Sequence, residues 1–325
     1  MKTVLLVASV KADVAAAVEF LASGHLVAVP TETVYGLAAD ASNDEAVRSI
    51  FAAKGRPTTH PLIVHIADVE HARALSRQWT AAAEILTNRF WPGPLSVLTN
   101  RSNRVPSVVT GGRDTVVLRV PDQPVTLTVL DRLHELGSIG LAAPSANRFG
   151  SISPTTAQHV ISELDGRIEA VLDGGPCKVG IESTIVDCTS EPAVVLRPGG
   201  ISAEEVASVL AEHGLTVEYG KDVDGSPEAA IAPGMLRSHY APRTPLMVFE
   251  SAAEAAAARD EAASQGRRVA ELPHPTDVYL YSRDLYATLR SCDDGQADLI
   301  VGVLPASAGL GAAVRDRLLK AAAAR

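Results

Sequence analysis

Residues 13–30, DVAAAVEFLASGHLVAVP, contain in one stretch the unit that is repeated along the first two hundred residues. Residues 13–23 have the apolar spacing of a helix, and the run at 24–30 has the apolar and β-branched composition of a strand. A helix followed by a strand recurs several times downstream. This alternation predicts an α/β fold for this part of the chain.

Further segments with the same two patterns extend the prediction along the chain. Strands are predicted at 1–7, 62–66, 95–99, 115–120, 139–142, 170–172, 183–187 and 193–197. Helices are predicted at 43–53, 69–75, 80–90, 124–136, 155–164 and 203–213. Some connections are too short for a crossover between parallel strands, so we expect a large twisted sheet of mixed strand direction.

The last third of the chain reads as a second unit. Residues 219–231 lose all periodicity and are rich in turn residues, which is typical of a linker. Beyond it we predict strands at 246–249, 278–281 and 299–303 and helices at 252–265, 284–291 and 312–324, a small Rossmann-like α/β unit. A length of 325 residues also favours two domains. We expect a large domain at 1–214, a linker or lid at 215–243 and a small domain at 244–325.

Composition excludes several classes of protein. The chain is 46% hydrophobic and 21% charged, and no apolar run approaches the roughly 18 residues of a membrane helix. Its three cysteines form no C-x-x-C pair, which argues against a disulfide framework or a zinc site. We therefore expect a cytoplasmic protein that does not associate with membranes.

The charge balance constrains the ligands. Twenty-nine Lys and Arg residues against 38 Asp and Glu give a net charge of −9, and no basic tail or stripe is present. We expect weak or no stable binding to nucleic acid. A phosphate ligand would have to be held by a few local cations and by neutral donors.

Two polar clusters follow predicted strands or helices in the first 65 residues. Residues 30–37, PTETVYGL, are rich in hydroxyls, although Thr31 with nearby Glu also suits a helix N-cap. Lys54 and Arg56 flank a glycine at a helix end and could clamp a polyphosphate, or merely complement the helix dipole. His60 and His65 have no third metal ligand nearby, so we interpret them as hydrogen-bonding groups.

Three further clusters lie downstream. Residues 141–147 and 150–155 combine small residues with neutral donors such as Ser145, Asn147 and Ser153. A second cluster joins 180–185 to 196–199, and a third spans 233–242, where a His-Tyr pair could anchor two domains or close as a lid. No P-loop, kinase glycine loop, nucleophile elbow or Ser-His-Asp triad is recognisable.

Taken in order, these clusters resemble the YrdC-type threonylcarbamoyl-AMP synthases in their long, two-domain form. The resemblance rests on residues 30–37, 54–57 with 60–62, 91–94, 143–147 with 153–155, 180–185, 196–199 and 238–242. Ile181 and Phe149 depart from the motif interiors. The resemblance implies a nucleotidyltransferase that converts ATP, L-threonine and bicarbonate to threonylcarbamoyl-AMP, pyrophosphate and water. That reaction is the first step of threonylcarbamoylation of adenosine 37 in tRNA, which a downstream threonylcarbamoyltransferase complex completes.

The resemblance also implies roles for individual residues. Lys54 and Arg56 are the catalytic cations. Threonine would bind at Thr33, His65, Arg119, Ala143 and Ser183, with Arg119 gripping its carboxylate and with Thr31 and Asn147 in support. ATP would contact the following residues: Arg56, His60, Thr115, Ser145, Ser153, Arg197 and His239. Mg²⁺ is expected through the phosphates of ATP, with no protein side chain as ligand.

Two alternatives stay open on the sequence. One is an O-carbamoyltransferase built on a related nucleotide-binding domain and acting through carbamoyl-AMP. The other is a double-stranded RNA-binding or ribosome-maturation protein with the same fold.

Overall fold

The computed structural model describes residues 2–220, 231–235 and 239–323. Most of the predicted elements are present, within a few residues of their predicted bounds. In chain order the elements are β1 (Val4–Val7), α1 (Lys11–Ala22), β2 (Val27–Val29), β3 (Gly36–Asp40), α2 (Asp44–Lys54), β4 (Ile63–His65), α3 (Val69–Leu75), β5 (Ser76–Gln78), α4 (Ala81–Phe90), β6 (Leu95–Arg101), β7 (Thr115–Arg119), α5 (Pro124–Glu135), β8 (Leu141–Ala142), α6 (Ala157–Leu164), β9 (Ala170–Asp173), β10 (Thr184–Asp187), β11 (Ala193–Arg197), α7 (Ala203–Ala211), β12 (Val217–Tyr219), β13 (Leu246–Phe249), α8 (Ala252–Ser264), β14 (Val269–Glu271), α9 (Val278–Cys292), β15 (Leu299–Val303) and α10 (Leu310–Ala322).

The first twelve strands form one sheet. Its order is β1-β9-β2-β3-β8-β4-β7-β6-β10-β11-β12, and β5 pairs with β6. Strands β4 and β7 run parallel, whereas β8 runs antiparallel to both β3 and β4. The large mixed sheet predicted from the short connections is therefore confirmed.

Strand alternation buries both faces of this sheet. In β2, Val27 and Val29 pack in one apolar cluster with helices α1 and α5, while Ala28 between them belongs to a second cluster. Because neighbouring side chains of a strand point to opposite faces, one three-residue strand serves both clusters. This is the reason that the strands read as continuous apolar runs rather than as alternating ones.

On β4, β6, β7 and β10 the second face is different. Val64 and Leu118 join the main apolar cluster, whereas Ile63, Leu98 and Val117 form a small separate one. Ala232, from the segment that follows the first unit, is buried in that small cluster. This face of the sheet is thus covered by the connecting segment instead of by a helix.

The second unit has a three-stranded parallel sheet in the order β13-β15-β14. The strand predicted at 278–281 is wrong, because these residues are the first turn of α9. Asp277 caps that helix through the amides of Tyr279 and Leu280, and the third strand is instead β14, which the sequence analysis missed. Aromatic residues at 279 and 281 imitate a strand although their burial follows the helical period.

The two units share one apolar cluster. Val34, Ile152 and Ile181 of the large unit pack with residues of the small unit that include Tyr286 and Leu318. The chain between them lies partly outside the described residues, since the predicted linker includes residues 221–230 and 236–238. The last residue of the helix predicted at 312–324 also falls outside them. The proposed domain boundaries stay predictions.

Among the described residues, no helix combines the length and apolar character needed to cross a membrane. Within the same ranges no three His, Cys, Asp or Glu residues are arranged to hold a metal ion.

Candidate active site

A cleft lies between the sheet face covered by the connecting segment and the segment itself. Strands, loops and the connecting segment all contribute to it. Its lining consists of Thr31, Thr33, Val34, Gly36, Arg56, Ile63, His65, Arg119, Ala143, Pro144, Ser145, Glu182, Ser183, Arg197, Pro233, Gly234, His239 and Tyr240.

Backbone hydrogen bonds bring the polar cluster at 30–37 together with the one at 141–147. The amide of Leu37 donates to the carbonyl of Pro144 at 2.7 Å, and the amide of Ala146 donates to the carbonyl of Tyr35 at 2.8 Å. A Cβ on Gly36 would lie 3.2 Å from that of Ala143, a close approach that favours glycine. Two clusters more than a hundred residues apart thus form one wall of the cleft.

The hydroxyls of Thr31 and Thr33 form a directional chain. Thr31 donates to the carbonyl of Val34 at 2.6 Å, and its oxygen lies 2.8 Å from that of Thr33. A hydroxyl has one proton, so Thr33 is the donor in the second bond. Thr33 therefore offers only lone pairs to the cleft, which suits a ligand N–H group.

Arg119 is buried at the end of β7 and is held in place by a carboxylate. Its Nη2 donates to Oε1 of Glu32 at 2.7 Å, and its Nε donates to the carbonyl of Gly93 at 3.2 Å. Both side chains of the ion pair are at most 4% exposed. The guanidinium is therefore fixed in orientation, and the second oxygen of Glu32 has no partner among the described residues.

Three other cations have carbonyl partners instead. Lys54 donates to the carbonyls of Ser145 and Asn147, each at 2.5 Å, and Arg56 donates to that of Pro61 at 3.0 Å. Arg197 donates to the carbonyls of Ser183, at 2.7 Å through Nη2, and Pro233, at 3.0 Å. In the part of the chain that the structure describes, none of the three forms an ion pair. We call Lys54, Arg56 and Arg197 the cleft cations.

Burial and mutual repulsion both act on the cleft cations. Burial is the larger cause that lowers the pKa of Lys54 well below its usual value, and the charge of Arg56 adds to it. The pKa of Arg56 is lowered to about 10 by burial and by Arg197. Burial lowers the pKa of Arg197 as well. A bound anion would stabilise the charged form of all three groups and so raise their pKa values.

The three histidines at the site are uncharged at neutral pH. Burial, reinforced by neighbouring arginines, lowers the pKa of His65 to about 3 and that of His60 to about 4. Burial likewise lowers the pKa of His239 to about 3. Each of these rings has a buried nitrogen with no hydrogen-bond partner among the described residues, and so does Nε of Arg56. Such unpaired polar atoms are rare in native interiors, and here they converge on one cleft.

A second buried charge cluster adjoins the cleft at Glu182. This carboxylate accepts hydrogen bonds from Ser153 at 2.7 Å, from Tyr286 at 2.8 Å and from Arg317 at 2.7 Å. Burial alone would raise the pKa of Glu182, but Arg317, Arg197 and the hydrogen bonds outweigh it and hold the pKa at about 2. We call Glu182, Arg317 and Tyr286 the interface cluster.

The structure brings most of the predicted site residues together. Those that line the cleft are Thr31, Thr33, Arg56, His65, Arg119, Ala143, Ser145, Ser183, Arg197 and His239. His60 lies in an adjoining cavity that also includes Arg56 and His239. Lys54 and Asn147 stand behind the wall through the Lys54 hydrogen bonds, and Ser153 contacts Glu182.

Thr115 is placed apart from the rest. It is the first residue of β7, at the opposite end from Arg119, and it is not among the residues that line the cleft. Residues 236–238, which are part of the predicted polar cluster at 233–242, lie outside the described residues.

Some contributing residues were missed by the sequence analysis. Glu32 and Glu182 both belong to quoted motifs, and an acidic residue inside a cation-rich motif is a usable signal for a buried ion pair. Tyr286 and Arg317 gave no such signal, because they are more than a hundred residues away in the chain from Glu182.

The fold and this cleft define an α/β protein of two units with buried arginines along one cleft. A family profile described as Telomere recombination, for Sua5, YciO and YrdC proteins, matches residues 19–199, and a profile for the threonylcarbamoyl-AMP synthase C-terminal domain matches residues 201–323. The chain belongs to the Sua5/YciO/YrdC family and, within it, to the two-domain threonylcarbamoyl-AMP synthases. The predicted family, fold class and enzyme type are confirmed.

Individual relatives agree over nearly the whole chain. The threonylcarbamoyl-AMP synthase of Pyrococcus abyssi is 41% identical across 94% of this chain and 93% of its own length. That of Bacillus subtilis is 39% identical across 96% and 94%. The crystal structure of P. abyssi Sua5 complexed with L-threonine superposes with a TM-score of 0.88 at 37% identity, over 100% of this chain and 98% of that one.

The structural likeness to full-length HypF is of a different kind. At 17% identity and a TM-score of 0.50 over 57% of this chain and 29% of that chain, it shows a shared fold and nothing more.

Proposed function

We propose that this enzyme joins ATP, L-threonine and bicarbonate into threonylcarbamoyl-AMP with release of pyrophosphate, and that the cleft is where it does so. The observation that carries this proposal is the set of three buried cations without carboxylate partners among the described residues, of which Arg56 and Arg197 line the same cleft as Arg119. Buried charges without partners are strongly unfavourable, so the site is organised for a ligand that supplies several negative charges. A triphosphate meets that requirement.

The cleft cations would hold the phosphates. Arg56 follows the end of α2 and Arg197 ends β11, and both line the cleft, while Lys54, the last residue of α2, lies behind its wall against the carbonyls of Ser145 and Asn147. Ser145 and His239 would add neutral contacts there. Ser153 has its single proton on Glu182, so toward a nucleotide it can act only as an acceptor in this arrangement. This refines the ATP role implied for Ser153 by the resemblance.

A second set of residues that line the cleft suits an amino acid. Arg119 would grip the threonine carboxylate, with its orientation fixed by Glu32 and the Gly93 carbonyl. Thr33 would accept a hydrogen bond from the amino group. His65, kept neutral, would place its unpaired ring nitrogen beside the same substrate. The support for this reading is that these groups differ in polarity as the ends of an amino acid do.

The chemistry then depends on positioning. The neutral threonine amine forms a carbamate, with loss of water when it reacts with bicarbonate or of a proton to solvent when it reacts with carbon dioxide. The carbamate oxygen then attacks the α-phosphorus of ATP, and the bond to the bridging oxygen breaks as pyrophosphate leaves. The nucleophile is already anionic, so the cleft needs no strong base; its cations stabilise the charge that spreads over the phosphates. Mg²⁺ is proposed to bind through the phosphates. Among the described residues that line the cleft, the one carboxylate is Glu182, and both of its oxygens already accept hydrogen bonds.

The connecting segment is proposed as a lid that belongs to the site. Pro233 accepts a hydrogen bond from Arg197, Gly234 accepts one from Lys320 at 2.8 Å, and His239 lines the cleft. On this basis we keep 1–214, 215–243 and 244–325 as the proposed catalytic domain, lid and small domain. A cytoplasmic location and delivery of the product to a tRNA-modifying complex are proposed from the family alone.

An omission assay tests the function. Pyrophosphate release should require ATP, L-threonine and bicarbonate together, and should fall to background when any one is left out. Release that persists without threonine but requires carbamoyl phosphate would favour the carbamoyltransferase alternative. Salt-sensitive RNA binding without pyrophosphate release would favour the RNA-binding alternative.

A further inference from the structure

The interface cluster joins the small unit to the loop that carries part of the active site. Glu182 lies between Ile181, which packs into the apolar cluster shared by the two units, and Ser183, whose carbonyl holds Arg197. Each oxygen of the Glu182 carboxylate has a partner: Ser153 on one, and Tyr286 with Arg317 on the other. The loop is thus joined to the small unit by the apolar packing of Ile181 and by the hydrogen bonds of Glu182.

Arg317 is the positive member of this cluster and is completely buried in helix α10. All three of its nitrogens are used: Nε on Glu182, Nη2 on the carbonyl of Pro198 at 3.0 Å, and Nη1 on Asp316. Its guanidinium carbon also lies 5.0 Å from the ring centre of Tyr240, which lines the cleft. The side chain therefore has no freedom to serve a ligand directly.

Its importance follows from the charges around Glu182. Arg197 is close enough to influence the ionisation of Glu182, yet it donates to carbonyls and forms no ion pair with that carboxylate in the described residues. A buried carboxylate that loses its partner is strongly destabilised and attracts the nearest available cation. Without Arg317, that cation would be Arg197. Arg197 would then pair with Glu182 and would no longer be available to bind the phosphates.

We propose that Arg317 of the small unit is a positioning residue for the nucleotide end of the cleft, because it neutralises Glu182 and so leaves Arg197 available to ATP. The inference rests on the proposed function of the cleft, since it takes ATP as the ligand of Arg197. It also gives the small unit a role in the reaction, in addition to that of the connecting segment that covers the cleft.

Variants that remove or keep the charge of Arg317 separate its effect on Arg197 from its contribution to packing. We expect Arg317→Met to raise the KM for ATP by about tenfold or more while the KM for L-threonine changes by less than about twofold. Arg317→Lys, which keeps the charge, should retain most of the ATP affinity. The double variant E182Q/R317M should recover most of the loss, because it leaves no unpaired carboxylate to attract Arg197.

Arg315→Met is the matched control. Arg315 lies on the same helix and pairs with Glu250 at 2.5 Å, but within the small unit and without contact to the cleft. It should leave both KM values unchanged. Thermal unfolding of every variant identifies any change that reflects misfolding, and if Arg317→Met does not fold, E182Q/R317M compared with E182Q provides the same test.

Three outcomes would overturn the inference. They are an ATP KM for Arg317→Met equal to that of Arg315→Met, an equal loss in Arg317→Lys and Arg317→Met, and an E182Q/R317M variant no better than Arg317→Met. Failure of the proposed function would look different: the wild-type enzyme itself would release no threonine-dependent pyrophosphate. In that case the dissociation constant for ATP, measured by calorimetry on the same variants, still tests the inference.

Discussion

The cleft cations and the interface cluster are both buried groups of charges, but they are balanced differently. Lys54 and Arg56 donate to backbone carbonyls, and Arg197 donates to carbonyls and to the Ser183 hydroxyl, whereas Glu182 and Arg317 neutralise each other at 2.7 Å. The first arrangement is unfavourable until an anion arrives, and the second is complete within the protein. Arg119 in the same cleft is paired with Glu32, so the missing countercharge is specific to the three cleft cations, and it is the feature on which the proposed phosphate site rests.

The sharpest test of this comparison is Lys54→Met. We expect kcat/KM to fall by about 10²–10³, similar to the loss of one preorganised donor. The free energy of unfolding should change by less than about 2 kcal/mol, because removal of a buried unpaired charge offsets the two lost hydrogen bonds to Ser145 and Asn147.

Steady-state pyrophosphate release and urea unfolding measure the two effects, with the exposed Lys11→Met as control. Full activity of Lys54→Met would contradict its role in the cleft. A loss of unfolding free energy as large as that for a broken buried ion pair, about 3–5 kcal/mol, would contradict the distinction between the cleft cations and the interface cluster.

The second prediction is that lowering the pH destabilises the fold through the histidines of the cleft and leaves the interface cluster ionised. His65 and His239 have pKa values of about 3 in the fold, well below about 6.5 in an unfolded chain, so the unfolded state binds more protons between these values. Stability is therefore complete above pH 6.5 and decreases as the pH falls. At pH 5 each histidine should cost about 2 kcal/mol relative to pH 7.5. Glu182, with a pKa of about 2, keeps the interface cluster ionised throughout this range.

Urea unfolding at pH 7.5 and pH 5 measures this loss. The variant H65Q/H239Q should show a smaller loss than the wild type, and the exposed His213→Gln should show the same loss as the wild type. A wild-type stability that does not change between the two pH values would contradict the assignment of neutral buried imidazoles at the cleft.

The smallest expected effect concerns Thr115, which belongs to neither cluster. The resemblance implies that it binds ATP, yet it stands at the far end of β7 from Arg119. One neutral hydrogen bond at the edge of a ligand contributes about 1 kcal/mol, so Thr115→Val should raise the KM for ATP about fivefold and leave that for threonine unchanged. A loss as large as that of Lys54→Met would mean that the nucleotide end of the cleft extends much further than its present lining.

The sequence alone carried the prediction a long way where local patterns decide the structure. Apolar runs and helical spacing located most elements of the large unit, and short connections gave the mixed sheet. The same reasoning failed at 278–281, where aromatic residues that favour strands lie in the first turn of a capped helix. Capping by Asp277 and packing against the small sheet outweigh the local preference.

For the site, the chain itself supplied the residue types and the motifs, because hydroxyls, glycines and cations that follow strands can be read in order. Only the folded structure decided their roles, because partners come from distant parts of the chain. Glu182 meets Arg317 across 135 residues, Arg119 meets Glu32 across 87, and the cleft cations meet no carboxylate in the described residues. The balance of a buried charge is a property of three-dimensional neighbours, and no local pattern encodes it.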